Sequence, residues 1–294
     1  MNKYDINKYL ERKYSAFKIR FESKENPCTL KELNYGFNNI PNYNDFDVRT
    51  LYILRYTYAY YFAYRQMYKN LLRFTGSIDK IKVLSIGCGN MIDYYSLRDV
   101  LNWRNLEKTI IEYTGVDKVK WWGEIKKAHC DTIIAENKDI KSFISKNYTA
   151  FDIYIFPMSL SEIGKNTLMA IVENIAKNSI GKKAFYILFL VRKNNDKEHD
   201  DDKKIKALKR KFEELGYEIT KSINRFNTLD NTDNYPRYPN DIKEYLKEMK
   251  THCPKHNKKS EILCKECKIN REAMRYFKSY TSLEILEFKR KQIL

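Results

Sequence analysis

The chain has 294 residues, 43 % of them hydrophobic, with 55 Lys and Arg against 38 Asp and Glu and a formal charge of +17. The apolar share is too high for a disordered tail. No apolar run reaches the roughly 18 residues of a membrane-spanning helix, and the basic balance favours anionic partners, nucleic acid first among them.

The charge is uneven. Residues 1–77 hold 13 basic and 7 acidic residues, and residues 241–294 hold 14 and 8, so the flanks are more basic per residue than the middle. Such flanks suit a substrate grip around a more neutral core. Met1–Glu11 is mostly polar and charged, without a signal-peptide pattern, which leads to the expectation of a cytoplasmic protein with no membrane partner. In that compartment the six cysteines do not form a disulfide framework.

Asp5–Glu22 reads as a helix and the Asn-rich Asn26–Phe46 as loop. Val48–Phe74 has no Gly or Pro and reads as one long helix, ended by Gly76-Ser77. From Lys82 apolar runs alternate with helical stretches. The runs are Lys82–Ile86, Ile110–Val116, Asp131–Ile134, Phe151–Phe156, Ala184–Val191 and Tyr217–Phe226. The helical stretches are Tyr94–Trp103, Leu168–Asn178 and Asp200–Leu215. Alternation of this kind predicts a parallel sheet with helices on both faces. Leu229–Tyr280 interrupts it with a polar segment, a short helix at Asp241–Met249 and a cysteine cluster, and Ser282–Lys289 reads as a last strand. The expected division is a helical extension at 1–77, a core at 78–228, an insertion at 229–280 and a last core strand at 281–294.

Two segments carry the cofactor chemistry. Lys82–Asp93 reads KVLSIGCGNMID: a strand runs into Gly87-Cys88-Gly89, where glycines allow a sharp turn and close approach to a ligand. Tyr113–Lys118 reads YTGVDK, a second strand ending in Asp117, 28 positions after Gly89. A carboxylate there accepts ribose hydroxyls. A nicotinamide dehydrogenase shares this strand and acid, but its fingerprint wants a third glycine where Ile92 stands.

Strand, glycine turn, helix, strand and acid in this order resemble the class I S-adenosylmethionine-dependent methyltransferases over about Lys80–Val191. The resemblance implies an α/β fold: a seven-stranded Rossmann-like sheet with helices on both faces, its last strand antiparallel beside the sixth. Leu229–Tyr280 would then be an insertion within that terminal hairpin. It implies S-adenosylmethionine as cofactor, with Ser85, Gly87, Cys88, Gly89 and Asn90 in the glycine loop, Asp117 on the ribose and Asp139, from ENKDIKSF, near the adenine. Pro157 and Met158, in FDIYIFPMSLSEI, would lie beside the transferred methyl group. The same loop offers Ser159 and Glu162 as catalytic candidates; as a plain alternative, Glu162 is an acid at a helix start near Ser161. Two residues depart from the family pattern: Ser85 replaces an acid, and Met91 replaces a third small residue. Ser-Leu-Ser-Glu, with the upstream Ala-Tyr-x-x-x-x-Arg helix, is also similar to ribosomal small-subunit methyltransferase-like proteins.

Cys253, His256, Cys264 and Cys267 make C-x2-H-x7-C-x2-C, two close ligand pairs of the kind tetrahedral zinc takes. Four protein ligands leave no open position, so the expected zinc is structural, with an iron–sulfur centre as the alternative that a His ligand disfavours. Tyr58, Tyr61, Tyr64 and Tyr68 recur at helical spacing among Arg55, Arg65, Lys69 and Arg73. Such a stripe packs against a core or, with its cations, stacks bases and grips phosphates. Trp121-Trp122 either flanks the adenine or packs. Together these readings lead to the expectation of a methyltransferase acting on nucleic acid, RNA in particular. The alternatives are a non-catalytic cofactor- or nucleic-acid-binding adaptor and a methyltransferase for a small molecule or protein.

Overall fold

The computed structural model describes residues 5–24, 27–28, 30, 41–75, 78–121, 130–192, 200–226, 237–254, 269–274 and 281–292. The chain divides into two compact units, one of residues 63–230 and 277–294, the other of 2–62 and 231–276.

The first unit is built on a seven-stranded sheet. Its strands are β1 (Lys80–Ile86), β2 (Ile110–Asp117), β3 (Thr132–Asn137), β4 (Ile153–Pro157), β5 (Phe185–Arg192), β6 (Tyr217–Phe226) and β7 (Thr281–Arg290). The spatial order is β3-β2-β1-β4-β5-β7-β6. β1 to β5 pair in parallel, and β7 lies antiparallel between β5 and β6, with Leu188 opposite Ile285 and Ile285 opposite Ile223. The seven-stranded sheet and its terminal hairpin are therefore present as expected.

The helices of this unit are α3 (Ile92–Trp103), α4 (Ile140–Ile144), α5 (Lys165–Asn178) and α6 (Asp200–Glu214), together with the second part of the long helix α2 (Phe46–Thr75). Alternation along the strands decides which residues meet which helices. Leu84, Ile86, Phe156, Phe189, Leu286 and Phe288 form one apolar cluster with Leu168, Ile171 and Val172 of α5 and Ile205, Leu208 and Phe212 of α6. Phe288 lies between the rings of Phe185 and Phe212, at 5.4 and 4.5 Å. On the α3 side, the Tyr94 and Tyr113 rings meet at 5.5 Å, and Arg65 of α2 pairs with Asp99 of α3 at 2.9 Å. Asp131, at the entry to β3, is buried and accepts Tyr94 Oη (2.7 Å), Arg98 Nε (3.0 Å) and the Ile111 amide (3.0 Å). One carboxylate thus joins α3, β2 and β3.

The second unit contains α1 (Ile6–Ser23), the first part of α2 and α7 (Asn240–Lys247). Asp5 caps α1 by accepting the amides of Asn7 and Lys8. Arg20 and Lys24 both reach the buried Asp47 of α2, at 2.8 and 2.7 Å. Residues of 231–276 pair with those of the N-terminal region: Tyr238 Oη donates to Leu54 O at 2.6 Å, the Met274 amide donates to Arg55 O at 2.8 Å, and the Tyr14 and Tyr245 rings meet at 5.2 Å. The N-terminal extension and the insertion are one folded body, which their separation in sequence hides.

Two details differ from the sequence reading. ENKDIKSF holds a short helix, α4, where no helix was expected. Glu162 lies in a single 3-10 turn, Leu160–Glu162, ahead of α5, which starts at Lys165 behind Gly164 and so before the expected Leu168. Of the two readings of the tyrosine stripe the structure bears out core packing, since Tyr58, Tyr61, Tyr64 and Tyr68 are all buried. No described helix is long and apolar enough to cross a membrane.

The terminal hairpin has its own polar lock. Glu287 is buried on β7, and its carboxylate accepts Tyr186 Oη of β5 (2.7 Å) and Thr220 Oγ1 of β6 (2.6 Å), with Lys221 Nζ at 3.2 Å and Lys289 Nζ at 3.3 Å. Burial alone would raise its pKa, but these hydrogen bonds outweigh it and hold the group at about 2 rather than 4.5. Because Glu287 stays ionised to lower pH in the fold than in the unfolded chain, its stabilisation is complete above about pH 4.5 and is lost as the pH falls toward 2. Replacing Glu287 with Gln should cost about 1–3 kcal/mol at neutral pH. In denaturant melts across pH, the gap between variant and parent should close between about pH 4.5 and 2.

Candidate functional site

The site begins where β1 ends. Gly87 and Gly89 have φ of 74° and 51°, and the amides of Gly87 and Cys88 both donate to Val116 O of β2, at 2.8 and 3.2 Å. A Cβ on Gly87 would stand 2.5 Å from Ser159 Cβ, so this glycine is required by the approach of the β4 loop as well as by its φ. A Cβ on Gly89 would meet nothing within 4 Å; its backbone conformation is its constraint. Cys88 is buried, and its Sγ lies where a Cβ on Gly115 would have to stand, 2.8 Å away. Burial pushes the thiol pKa well up, as do the charges of Asp117 and Asp93, so Cys88 fills space and is no nucleophile.

Asp117 ends β2. Its Oδ2 accepts the Gly89 amide at 2.9 Å and its Oδ1 the Val119 amide at 2.8 Å, and the Trp121 side chain also donates to it. Burial raises its pKa against the pull of these bonds. A carboxylate has about four acceptor positions, so capacity remains for further donors. The carbonyl of the same residue accepts the Lys138 amide and Asn137 Nδ2, both at 3.1 Å, which ties the ends of β2 and β3 together. Asp139 caps α4, accepting the Lys141 amide at 2.8 Å.

The β4 loop comes in from the other side. Pro157 ends the strand, and Met158 takes a left-handed φ of 58° while its amide donates to Leu190 O at 3.1 Å. Ser159 Oγ donates to Ile86 O, which fastens this loop to the end of β1. Lys204 of α6 donates to Leu160 O (3.2 Å) and Ser161 O (3.0 Å) from behind. Glu162 is exposed, with its Oε2 3.9 Å from Lys118 Nζ.

These pieces enclose a cleft of about 140 Å³ at the carboxyl ends of the strands, where β1 has β2 on one side and β4 on the other. The reversal of strand order there is the usual place for a ligand in an open α/β sheet. Of the residues singled out from sequence, the cleft brings together Gly87, Asp117, Asp139, Ser159 and Glu162. Ser85, Cys88, Gly89, Asn90, Pro157 and Met158 stand outside its lining. Ser85 is buried facing Asp93 and Tyr113, and Met91 is buried with a φ of 57° at the start of α3, where it supplies no side-chain cap. Sequence reasoning missed Lys118, Lys138, Ile140 and Thr167 in the lining; adjacency to Asp117 and Asp139 was the available signal for the first three.

Of the expected zinc ligands, Cys253 is described and buried, whereas His256, Cys264 and Cys267 lie outside the described residues, as does Trp122. Among the described residues no three His, Cys, Asp or Glu side chains gather as a metal site would require. Of the candidate phosphate contacts, Arg65 is engaged by Asp99, Lys69 Nζ stands 4.6 Å from the Trp103 ring centre, and the Arg55 guanidinium lies 4.9 Å from that of Tyr56. Arg73 is exposed.

No family model and no curated protein matches the sequence, so the likeness to ribosomal small-subunit methyltransferase-like proteins gains no support. Solved structures do match. One is a SAM-dependent methyltransferase from Archaeoglobus fulgidus, at 14 % identity over 76 % of this chain and 94 % of that one, with a TM-score of 0.38. A Burkholderia thailandensis 1,6-didemethyltoxoflavin-N1-methyltransferase matches at 10 % identity over 80 % of each chain, with a TM-score of 0.40. A Haemonchus contortus phosphoethanolamine N-methyltransferase matches at 13 % identity over 86 % of this chain and 62 % of that one, with a TM-score of 0.43. The strand order, the antiparallel β7 between β5 and β6, and the glycine turn between β1 and α3 give this chain the fold of the class I S-adenosylmethionine-dependent methyltransferases.

Proposed function

We propose that the chain is an S-adenosylmethionine-dependent methyltransferase whose acceptor is a nucleic acid, RNA in the first place. The observation that carries the cofactor reading is the cleft at the switch between β2 and β4, which holds the glycine turn, Asp117 and Asp139 together. The residues present fit the cofactor. Asp117 keeps acceptor capacity for ribose hydroxyls, the turn at Gly87 would receive the methionine part, and Asp139 with Ile140 would border the adenine. When bound, S-adenosylmethionine supplies an electrophilic methyl group on a sulfonium. Direct displacement at such a carbon needs positioning above all. Ser159 and Lys204 do that work by holding the β4 loop from its two sides. We assign Glu162, exposed at the rim of the cleft with Lys118 Nζ 3.9 Å from its Oε2, the task of taking a proton from the acceptor.

Asp117→Asn should weaken S-adenosylmethionine binding by about 1–3 kcal/mol in a calorimetric titration, with melting followed in parallel because Asp117 also holds the turn. Unchanged affinity would remove Asp117 from the site.

The nucleic-acid reading rests on the +17 charge and its concentration in the flanks. Each neutralised phosphate releases counterions, so the log of RNA affinity should fall linearly with log salt, by about 0.7 per contact on a single strand. Charge reversal at Lys258 and Lys259, which lie outside the described residues, should weaken RNA binding and flatten that slope without touching cofactor affinity. A weak, salt-independent response would assign the cleft a small acceptor instead.

The C-x2-H-x7-C-x2-C spacing supports one structural zinc per chain. Protein purified without chelator should carry one zinc by elemental analysis, and Cys264→Ser should abolish it while the sheet keeps its melting transition. Metal-free protein with an intact fold would end the zinc reading.

A further inference from the structure

α3 and the connection from α4 to β4 each return the chain to the amino-terminal end of the sheet, opposite the cleft. Each leaves an aromatic ring in solvent there. Trp103, the last residue of α3, is 60 % exposed, and Tyr148, ahead of β4, is 75 % exposed. They are the two most exposed aromatic side chains among the described residues. Each has a cation over its face. Lys69 Nζ of α2 lies 4.6 Å from the Trp103 ring centre and the Arg104 guanidinium 5.8 Å, and Lys177 Nζ of α5 lies 5.9 Å from the Tyr148 ring centre. All five residues belong to the sheet unit.

The backbone fixes both rings in place. α3 ends in a Schellman turn: the Leu106 amide donates to Leu101 O at 2.8 Å, the Asn105 amide donates to Asn102 O at 3.1 Å, and Asn105 has a φ of 57°. Beside Tyr148, the Asn147 carbonyl accepts Asn174 Nδ2 at 3.0 Å and Asn178 Nδ2 at 3.1 Å, both from α5. A ring held in this way loses little freedom when a ligand covers it. An indole left in water also forfeits the stabilisation that burying it would bring. An exposed ring beside a cation offers a base a stacking face and its phosphate a counter-charge, which is how single strands are held.

We propose that Trp103 with Lys69 and Arg104, and Tyr148 with Lys177, form a binding face for single-stranded nucleic acid at the end of the sheet unit remote from the cleft. Its ligand class rests on the nucleic-acid reading of the chain; what is added is where a strand is gripped away from the reacting atoms. The 12 residues of α3 separate the glycine turn from this face by about 18 Å, so the face anchors a strand and takes no part in methyl transfer. A duplex keeps its base faces stacked inside, so the rings select unpaired bases. Ile180, 53 % exposed just after α5 at the same end of the sheet, is what a lipid surface would use instead, and a vesicle therefore enters the test.

The test is fluorescence anisotropy of the full chain with fluorescein-labelled oligouridine at several salt concentrations. Trp103→Ala should weaken binding at every salt concentration by at least about fivefold, the low end for one lost base stack, and leave the slope of log affinity against log salt unchanged. Tyr148→Ala should do the same, whereas Trp103→Phe, which keeps a ring, should retain most of the affinity. Lys177→Gln should instead lower the steepness of that slope by about 0.7, one phosphate contact on a single strand. Melting and cofactor affinity should stay at the parent's values throughout. A base-paired duplex should bind with no response to Trp103→Ala. Unchanged oligouridine affinity in either ring-to-Ala variant overturns this face while the nucleic-acid reading stands; a parent that binds no RNA ends both. Should Trp103→Ala fail to fold, Tyr148→Ala and Lys177→Gln decide alone. Phosphatidylserine vesicles that bind the parent but not Trp103→Ala, with RNA binding unaffected by that change, would assign the face to a lipid surface and overturn the proposal.

Discussion

The site depends on how the chain leaves β1. At that point β2 and β4 must both pack against one strand while the backbone turns out of the sheet into α3. Val116 O takes two amides of the turn, and Ile86 O takes the hydroxyl of Ser159. The turn is thereby held by both neighbouring strands. The space left for this is small: a methyl group on Gly87 collides with Ser159, and one on Gly115 collides with Cys88. Packing at close to crystalline density makes such a junction intolerant of added atoms. The cleft follows directly, because its walls are the strand ends that this junction fixes.

Buried charge is handled in two ways in the sheet unit. Asp131 and Glu287 each gather a cation and several neutral donors, and each joins elements that are distant in sequence. Breaking one partner of such a set leaves an uncompensated charge in a poorly hydrated place, which is why these networks fix register as well as stability. Asp93 is held instead by Tyr113 Oη of β2 and by backbone amides at the start of α3.

The chain order adds a constraint on assembly. β7 lies between β5 and β6, yet it comes after the whole segment 231–276, which folds with residues 2–62 into the other unit. The hairpin of β6 and β7 is therefore closed across a long loop, and closing such a loop costs entropy that grows slowly with its length. Contact of the Phe288 ring with Phe185 and Phe212, and the Glu287 lock, supply what that closure requires.

The sequence by itself determined what is local. Alternating apolar runs and helical stretches produced the sheet. The glycine pair in KVLSIGCGNMID located its turn, and Asp117 stood at the end of the second strand, because turn chemistry and strand ends are written in neighbouring residues. Periodicity showed that α2 has a tyrosine face but not what covers it, so the burial of Tyr58, Tyr61, Tyr64 and Tyr68 was decided only in the fold. Likewise Asp139 could be read as a ligand contact, whereas its carboxylate also caps the unforeseen α4. The union of the N-terminal extension with the insertion, the collision that forces Gly87, and the burial of Asp93 against Tyr113 are tertiary facts. Each depends on groups far apart in the chain, and local pattern carries no distance between them.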